Sequence, residues 1–257
     1  MTSDQASTSH ARRVSVCMAS YRGATFIAEQ ISSILSELGP SDELVVVDDA
    51  SPDNTTEIIE AFHDPRIRLI KSAENAGYVR AFEKAIGASS GEYIFLSDQD
   101  DVWIPGRVNR MLAALQDSKM VATNFSMLGG VDRPWIPPLS SGMDSRRLAN
   151  LAGIAVGYRA YYGCGMAFRR SLLPLVTPIP PYVRESHDLW LAICGNLDGS
   201  IAHLDEPSLL RRLHDQNETP AGFRSLRRII AARIMIARLA LEGRRRLRRG
   251  SPAGTRR

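Results

Sequence analysis

The sequence predicts an α/β fold in which a mostly parallel sheet is flanked by helices on both faces. From residue 14 to residue 123, short apolar runs alternate with longer segments of helical periodicity. This alternation is typical of strands joined by crossover helices. The chain has 257 residues, 44% of them hydrophobic, which is enough for one well-buried domain.

Each predicted strand is an apolar run of four to six residues, and each predicted helix repeats apolar residues three or four positions apart. The predicted strands are residues 14–19, 43–48, 67–70, 92–96 and 120–123. The predicted helices are residues 25–38, 54–63, 77–88 and 105–116. Asp53 is the predicted N-cap of the second helix, and Pro105 is placed in the first turn of the fourth. Prolines break the pattern after residue 125, where the chain is expected to complete a pocket.

The net charge of +4 conceals two regions of opposite sign. Residues 224–257 contain twelve Arg and one acid, so this tail carries +11 and the remainder of the chain −7. An acidic body with a basic tail argues against a uniformly basic nucleic-acid-binding protein. The three cysteines, Cys17, Cys164 and Cys194, lack the spacing of a zinc site and are expected to be reduced and partly buried.

The ends of the chain are expected to lie outside the main domain. Residues 1–12 are predicted to be a disordered leader, residues 13–217 the folded domain, and residues 218–257 a basic amphipathic helix with an Arg-rich tail. The N-terminus has no apolar core of the kind found in signal peptides. No run of about 18 apolar residues is present, so no spanning segment is expected.

The tail combines an apolar helical face with many arginines. The face comprises Ile229, Ile230, Ile234, Ile236, Ala237 and Leu241. A basic amphipathic helix of this kind is suited to an anionic membrane surface. Docking on the body of the same chain and a solvated tail are the alternatives.

Polar residues follow three of the predicted strands, at Ser20–Tyr21, Asp48–Asp49 and Asp98–Asp101. In parallel sheets these strand ends meet at one edge, where ligands bind. Carboxylates crowded at the end of an apolar strand repel one another and resist desolvation, and a Mg²⁺ or Mn²⁺ ion would remove both costs. Acidic turns that cap the following helices are the structural alternative at both acidic positions.

Two further titratable residues are candidates for a role in the site. Asp188 precedes an apolar helical stretch and is suited either to general-base catalysis or to helix capping. His214 follows a pair of arginines; an isolated histidine is usually structural, and metal ligation is the alternative.

Four segments occur in the order found in family 2 glycosyltransferases, and the chain resembles this family over residues 13–217. The segments are residues 14–21, 45–51, 75–77 and 91–103. The string Ser97-Asp98-Gln99-Asp100-Asp101-Val102-Trp103 is similar to the bacterial rhamnosyltransferase-like branch, as are residues 163–168, 187–192 and 212–214. Two departures are Ala19, where the family often has Thr, and residues 75–83, which lack the common Ala-Arg-Asn triplet. Arg80 in this segment is expected on a solvated helix face, with a contact to the diphosphate as the alternative.

The resemblance implies a GT-A fold and transfer with inversion, and it implies a role for each matching residue. Donor-binding residues would be Ser20, Tyr21, Asp48, Asp49 and Asp98. Asp100 and His214 would hold the metal, and Asp188 would be the catalytic base. Acceptor or secondary contacts would come from Asp101, Trp103, Cys164, Gly165, His187 and Trp190.

The resemblance also implies the ligands and the location. A dTDP- or UDP-sugar would be the donor, with rhamnose as the sugar indicated by the branch, and Mg²⁺ or Mn²⁺ the cofactor. The acceptor would be a glycan or lipid-linked hydroxyl in surface polysaccharide synthesis, in the cytoplasm at the inner face of the membrane, with no nucleic acid involved. A non-catalytic sugar-nucleotide-binding protein and a sugar nucleotidylyltransferase are the alternatives, although no Gly-rich loop with Arg follows the first strand.

Overall fold

The computed structural model describes residues 14–129, 137–213 and 226–250. The strands are β1 Val14–Ser20, β2 Glu43–Asp48, β3 Ile67–Lys71, β4 Tyr93–Ser97, β5 Val102–Trp103, β6 Met120–Met127, β7 Met166–Arg169 and β8 Ile201–Arg211. The helices are α1 Ile27–Leu35, α2 Thr55–Glu60, α3 Tyr78–Ala88, α4 Arg107–Asp117, α5 Arg147–Val156, α6 Leu173–Val176, α7 His187–Asp198 and α8 Leu226–Gly250. Single turns of 3₁₀-helix occur at residues 141–143, 163–165 and 170–172. The predicted leader and His214 lie outside the described residues.

All eight strands form one sheet in the order β3-β2-β1-β4-β7-β6-β8-β5. Strands β3, β2, β1 and β4 run parallel, and β6 is parallel to β8. β7 is antiparallel to both β4 and β6, and β5 is antiparallel to β8. The predicted mostly parallel sheet flanked by helices is therefore confirmed.

The apolar core consists of two layers, one on each face of the sheet. Alternate side chains of β1 enter different layers, with Cys17 in the first and Val16 and Met18 in the second. The first layer is covered by α3, α5, α6, α7 and α8, and the second by α1, α2 and α4. Because both faces are covered, every residue of β1 and β2 is buried, which explains their continuous apolar runs.

Register brings the ends of the central strands to one edge. Ser20 at the end of β1 pairs with Asp48 at the end of β2, and Met18 pairs with Ser97 at the end of β4. The polar residues that follow these strands consequently lie side by side, as predicted from the parallel arrangement.

The helix-start positions assigned to Pro105 and Asp53 were wrong. α4 begins at Arg107 after Gly106, whose φ of 82° interrupts the helical backbone, so Pro105 lies outside the first turn. α2 begins at Thr55 with Asn54 as its N-cap residue, whereas the Asp53 carboxylate accepts hydrogen bonds from Thr55 N and Oγ1 at 3.3 and 2.5 Å. Asp53 therefore lies one residue before the N-cap position and bonds to the first residue of α2.

α8 packs on the body of the protein against α5, α6 and α7. Ile236 and Leu239 are buried in this contact, and a Cβ on Gly243 would lie 2.7 Å from Leu197 Cδ1. The predicted single apolar face is therefore wrong at Ile236, which faces inward while Ile230 and Leu241 are exposed. Within the described residues, no helix combines the length and apolar composition needed to cross a bilayer.

The three cysteine thiols are free and buried, as expected for reduced cysteines. Burial raises the pKa of Cys17 to about 12, so this thiol stays protonated and unreactive at neutral pH.

Candidate active site

Asp48 fixes the turn that follows β2. Its carboxylate accepts hydrogen bonds from Ser20 Oγ at 2.9 Å, from Ser51 Oγ at 2.6 Å and from Ser51 N at 2.9 Å. The Asp49 amide donates to Ser20 O at 2.8 Å, which joins the ends of β1 and β2. Ser20 and Asp48 are buried, so their geometry holds the edge of the site in place.

Asp49 connects the same edge to the start of α3. Its two carboxylate oxygens accept hydrogen bonds from the backbone amides of Ala76 and Gly77, at 3.0 and 2.7 Å. Gly77 has a φ of 88°, a conformation that glycine adopts without strain, and it precedes the first residue of α3. The N-terminal end of α3 is therefore anchored by a residue predicted to bind the donor.

Gln99 joins the end of β4 to the end of β1. The Tyr21 amide donates to Gln99 Oε1 and Gln99 Nε2 donates to Tyr21 O, both at 2.9 Å. A Cβ on Gly23 would lie 2.4 Å from Gln99 Oε1, so a larger residue there would displace the Gln99 amide. The Tyr21 side chain is 38% exposed, which leaves its ring accessible beside this edge.

Asp98 and Asp101 form a carboxylate cluster together with the thiol of Cys164. The possible ligand atoms of these three residues lie within 4.8 Å of one another. Burial, followed by the charge of Asp100, raises the pKa of Asp98 to about 6. Burial, followed by the charges of Asp98 and Asp100, raises the pKa of Asp101 to about 8. Without a cation, the cluster therefore retains protons near neutral pH.

The carboxylate cluster fits a hard divalent cation. Carboxylate oxygens are the ligands that Mg²⁺ and Mn²⁺ prefer, and Asp101 Oδ2 is buried without a hydrogen-bond partner among the described residues. Burial raises the pKa of the Cys164 thiol well above its usual value, and a protonated thiol is a poor ligand for such ions. Asp100, the predicted ligand, is half-buried and close enough to raise the pKa of both neighbours.

Arg107 is a buried cation beneath the carboxylate cluster. Its guanidinium donates to Ser208 Oγ at 2.6 Å and to Cys164 O at 2.5 Å, and lies 4.5 Å from the centroid of the Trp103 ring. Burial lowers its pKa to about 10, so it remains charged. Sequence reasoning missed Arg107, although an arginine in the first turn of a helix opposes the helix dipole and is a usable signal.

Arg211 is a second cation that sequence reasoning missed. Its guanidinium carbon lies 4.8 Å from the centroid of the Tyr162 ring and 5.3 Å from that of Phe125. Burial disfavours its charge, but the acidic groups around it, Cys164 and Asp98 foremost, raise its pKa overall. Arg211 therefore supplies positive charge to the carboxylate cluster from the end of β8.

Asp188 is half-buried in the first turn of α7, beside the carboxylate cluster. Its Oδ1 accepts a hydrogen bond from the amide of the next residue, Leu189, at 2.8 Å, whereas the N-cap residue Ser186 makes no side-chain capping hydrogen bond. Burial raises the pKa of Asp188 to about 7, with the charge of Asp98 adding to the shift. A carboxylate with this pKa can take up a proton at neutral pH, as a general base must.

Arg80 holds the segment that precedes Asp188. Its guanidinium donates to three backbone carbonyls of residues 179–183, at 3.1 to 3.4 Å, and pairs with Glu83. The Glu83 carboxylate in turn accepts a hydrogen bond from the Ile179 amide at 2.5 Å. Arg80 therefore does not lie on a solvated helix face, which corrects that expectation, and the alternative contact to the diphosphate stays a prediction.

Tyr78 adds a contact at the start of α7. Its hydroxyl oxygen accepts a hydrogen bond from the Ser186 amide at 2.8 Å. Ser186 has a φ of 61°, a strained conformation for serine, and is the N-cap residue of α7. The first turns of α3 thus fix the position from which Asp188 enters the site.

All six predicted acceptor or secondary residues are buried, two of them in the carboxylate cluster. The His187 ring stacks on Phe82 with centroids 4.5 Å apart, and burial lowers its pKa to about 4. Trp190 Nε1 donates to Val176 O at 2.7 Å, and Trp103 is also buried. A Cβ on Gly165 would lie 2.8 Å from Thr123 O. These residues therefore contribute packing contacts, and their predicted acceptor or secondary role stays a prediction.

The chain matches a known protein family and is similar to several known proteins. The model of the Glycosyl transferase family 2 matches residues 15–174. An uncharacterized glycosyltransferase of Nostoc sp. is 29% identical over 213 residues, covering 80% of this chain and 66% of the relative. An Escherichia coli UDP-Glc:alpha-D-GlcNAc-diphosphoundecaprenol beta-1,3-glucosyltransferase is 35% identical over 117 residues, covering 46% of this chain and 44% of the relative. The chain thus spans less than two thirds of either protein's length.

Solved structures share the fold. Residues 1–349 of Staphylococcus aureus TarS in complex with UDP superpose with a TM-score of 0.66 at 18% identity, covering 90% of this chain and 65% of that one. The mannosyltransferase PcManGT from Pyrobaculum calidifontis, in complex with GDP-Man and Mn²⁺, has a TM-score of 0.57 at 20% identity, covering 95% and 76%. The predicted GT-A fold is therefore confirmed.

Proposed function

Because this chain belongs to the glycosyl transferase family 2, we propose that it is an inverting, metal-dependent glycosyltransferase. It moves a sugar from a nucleoside-diphosphate donor to a hydroxyl of a glycan or lipid-linked acceptor in surface polysaccharide synthesis. The observation that supports this most is the proximity of Asp188 to the carboxylate cluster, since the charge of Asp98 contributes to the raised pKa of Asp188. Both lie at the edge of the sheet where ligands of α/β folds bind.

The donor would bind across the ends of β1, β2 and β4. We propose that Tyr21 stacks on the base, that Asp49 and Ser20 line the nucleoside pocket with Asp48 behind them, and that Asp98 contacts the ribose or nucleotide. A dTDP- or UDP-sugar is the proposed donor, with rhamnose as the sugar. The UDP and GDP-Man named in the complexes of structurally similar proteins support a nucleotide-linked donor, and the diphosphoundecaprenol in the name of the E. coli relative supports a lipid-linked acceptor.

Asp100, with Asp98 and Asp101 beside it, would hold Mg²⁺ or Mn²⁺, and His214 remains a proposed further ligand. When bound, the cation neutralises charge on the departing diphosphate. Asp188 takes the proton from the acceptor hydroxyl as its oxygen bonds to the anomeric carbon and the bond from that carbon to the diphosphate oxygen breaks. Attack from the side opposite the leaving group inverts the configuration, and the fixed positions of α3 and α7 hold Asp188 in line.

A panel of nucleotide sugars, assayed with Mg²⁺ and with Mn²⁺ for acceptor-dependent release of nucleoside diphosphate, tests the proposal. Asp188→Asn should lower turnover by about 10²–10⁴-fold while leaving donor affinity in calorimetry nearly unchanged. The matched control is Glu185→Gln, which removes an exposed carboxylate three residues away. Near-normal turnover of Asp188→Asn would exclude Asp188 as the base. If Asp100→Ala still bound donor in a metal-dependent way, the role of Asp100 would be wrong.

The alternatives are less well supported. A non-catalytic sugar-nucleotide-binding protein has no need for a carboxylate of raised pKa beside the donor site, and a nucleotidylyltransferase is not favoured by the family match. For the location, we propose the cytoplasm, at the inner face of the membrane, with attachment to an anionic surface through residues 224–257 and no nucleic-acid partner.

A further inference from the structure

α8 has an outward face that the body of the protein leaves uncovered. Ile230, Ile234 and Leu241 are 52%, 56% and 66% exposed, although the same helix buries Ile236 and Leu239 against the body. With Ala237, which is also exposed, the outward residues recur every three or four positions and form one stripe along the helix. Since Ile236 and Leu239 already anchor α8, the stripe is not needed for docking to the body.

The stripe continues onto the end of α5. Arg233 of α8 donates to Val156 O at 2.8 Å, and a Cβ on Gly157 would lie 2.6 Å from the Arg233 guanidinium. Val156 and Tyr158 on either side of this contact are 69% and 62% exposed. We call the set Val156, Tyr158, Ile230, Ile234 and Leu241 the outer patch. Contiguous exposed apolar side chains of this kind mark a site of interaction.

Guanidinium groups surround the C-terminal end of the outer patch. A cavity of about 330 Å³ is lined by Leu241 together with Arg244, Arg245, Arg248 and Arg249. Residues 226–250 contain nine arginines and a single acid, Glu242, whose carboxylate is already paired with Arg245 and Arg246. The helix thus presents an apolar stripe and a strong, largely uncompensated positive charge.

We infer that the outer patch and the arginines beside it form a docking surface for an anionic phospholipid bilayer. The guanidinium groups pair with lipid phosphates, while the isoleucine and leucine side chains enter the boundary between headgroups and acyl chains. The surface is composite, because Val156 and Tyr158 belong to the folded body, so membrane contact orients the whole domain rather than tethering it by a tail.

The charge distinguishes this partner from others. Pairing of two α8 helices from separate copies would bring nine arginines against nine, a like-charge contact that weakens association. A nucleic acid would satisfy the arginines but would offer the isoleucine stripe only a polar, charged backbone. An anionic bilayer offers phosphates to the arginines and an apolar environment to the isoleucine and leucine side chains.

Vesicle co-sedimentation of the full chain tests the inference, which extends the peripheral location proposed above. Vesicles of phosphatidylglycerol with phosphatidylcholine should sediment the protein at low salt, whereas vesicles of phosphatidylcholine alone should not. The triple variant Ile230→Ser, Ile234→Ser and Leu241→Ser should weaken partitioning about tenfold or more. Because the assay requires no transfer activity, the docking surface and the transferase assignment can fail independently.

Matched variants distinguish binding through the outer patch from a general effect of removing exposed apolar side chains. Leu148→Ser removes an apolar side chain outside the patch that is even more exposed, and should bind like the wild type. Replacing the four arginines of the cavity by glutamine should reduce partitioning and its dependence on salt. The inference is overturned if neutral vesicles bind equally well, if the triple variant binds like the wild type while melting normally, or if the triple variant converts an oligomer into monomers in light scattering.

Discussion

The raised pKa of Asp188 predicts the pH dependence of catalysis. An aspartate with an ordinary pKa of 3.8 would be ionised throughout the neutral range, but burial raises the pKa of Asp188 to about 7. Only the ionised form can accept a proton, so the active fraction is about a tenth at pH 6, about half at pH 7 and about nine-tenths at pH 8. kcat/KM should therefore rise roughly tenfold between pH 6 and pH 8, and an unshifted carboxylate would leave it flat.

Arg211 provides an independent check on this reasoning. Its positive charge lowers the pKa of Asp188 against the effect of burial. Arg211→Met should therefore move the rising limb of the profile to higher pH, because the protonated form of Asp188 is favoured once the cation is lost.

The assay is the initial rate of nucleoside-diphosphate release at several donor concentrations and at saturating metal. Metal affinity must be measured at each pH, because Asp98 and Asp101, with pKa values of about 6 and about 8, also exchange protons for the cation. A flat kcat/KM between pH 6 and pH 8 would refute the assignment of Asp188 as a base with a shifted pKa. A limb that moved to lower pH in Arg211→Met would refute the electrostatic explanation.

Two further variants test residues that the sequence did not single out correctly. Arg107→Met removes a buried cation from between Cys164 O, Ser208 Oγ and the carboxylate cluster, and should lower the free energy of unfolding in urea by about 3–5 kcal/mol. The control Arg110→Met loses one hydrogen bond to Pro105 O and should change this free energy by less than about 1 kcal/mol. Equal unfolding midpoints for the two variants would contradict the role of Arg107. Arg80→Met frees residues 179–183 and should lower kcat about tenfold or more while the dissociation constant of the donor stays the same, because the proposed base Asp188 loses its placement. The control is Lys84→Met, which loses a contact to Ser72 Oγ. A loss of donor affinity with unchanged kcat in Arg80→Met would show that Arg80 serves the donor instead.

Local sequence patterns were sufficient for β1 to β4 and for the helices between them. Each of these strands is buried within a parallel sheet, so an apolar run marks it directly, and the helices alternate with them at short range. β5, β7 and β8 were not predicted. β7 has four residues and follows a glycine-rich turn, and β5 has two residues that pair with Leu209 and Leu210, more than a hundred positions later. Such pairings depend on contacts between distant parts of the chain, which periodicity does not reveal.

The candidate site, like the fold, could be predicted only in part from local sequence patterns. Asp98 and Asp49 could be found because they directly follow apolar strands, and their meeting follows from the parallel order. The proximity of Asp101 to Cys164, and of Arg107 to both, arises only when β4, α4 and the turn before β7 pack together. Periodicity also could not predict which face of α8 is buried. The apolar residues of this helix lie on more than one face, and its contact with the body determines which of them are buried.

Helix α3 has a consequence for anyone who tries to redesign this protein. Asp49 accepts hydrogen bonds from Ala76 and Gly77 at the N-terminal end of the helix, while Tyr78 and Arg80, both in its first turn, hold the segment that leads to Asp188. Exchanging the loop before α3 for that of a relative with another donor would therefore also shift Asp188, the proposed catalytic base. Donor preference and turnover should be inherited together in such chimeras, and a library that varies this loop should also vary residues 179–186.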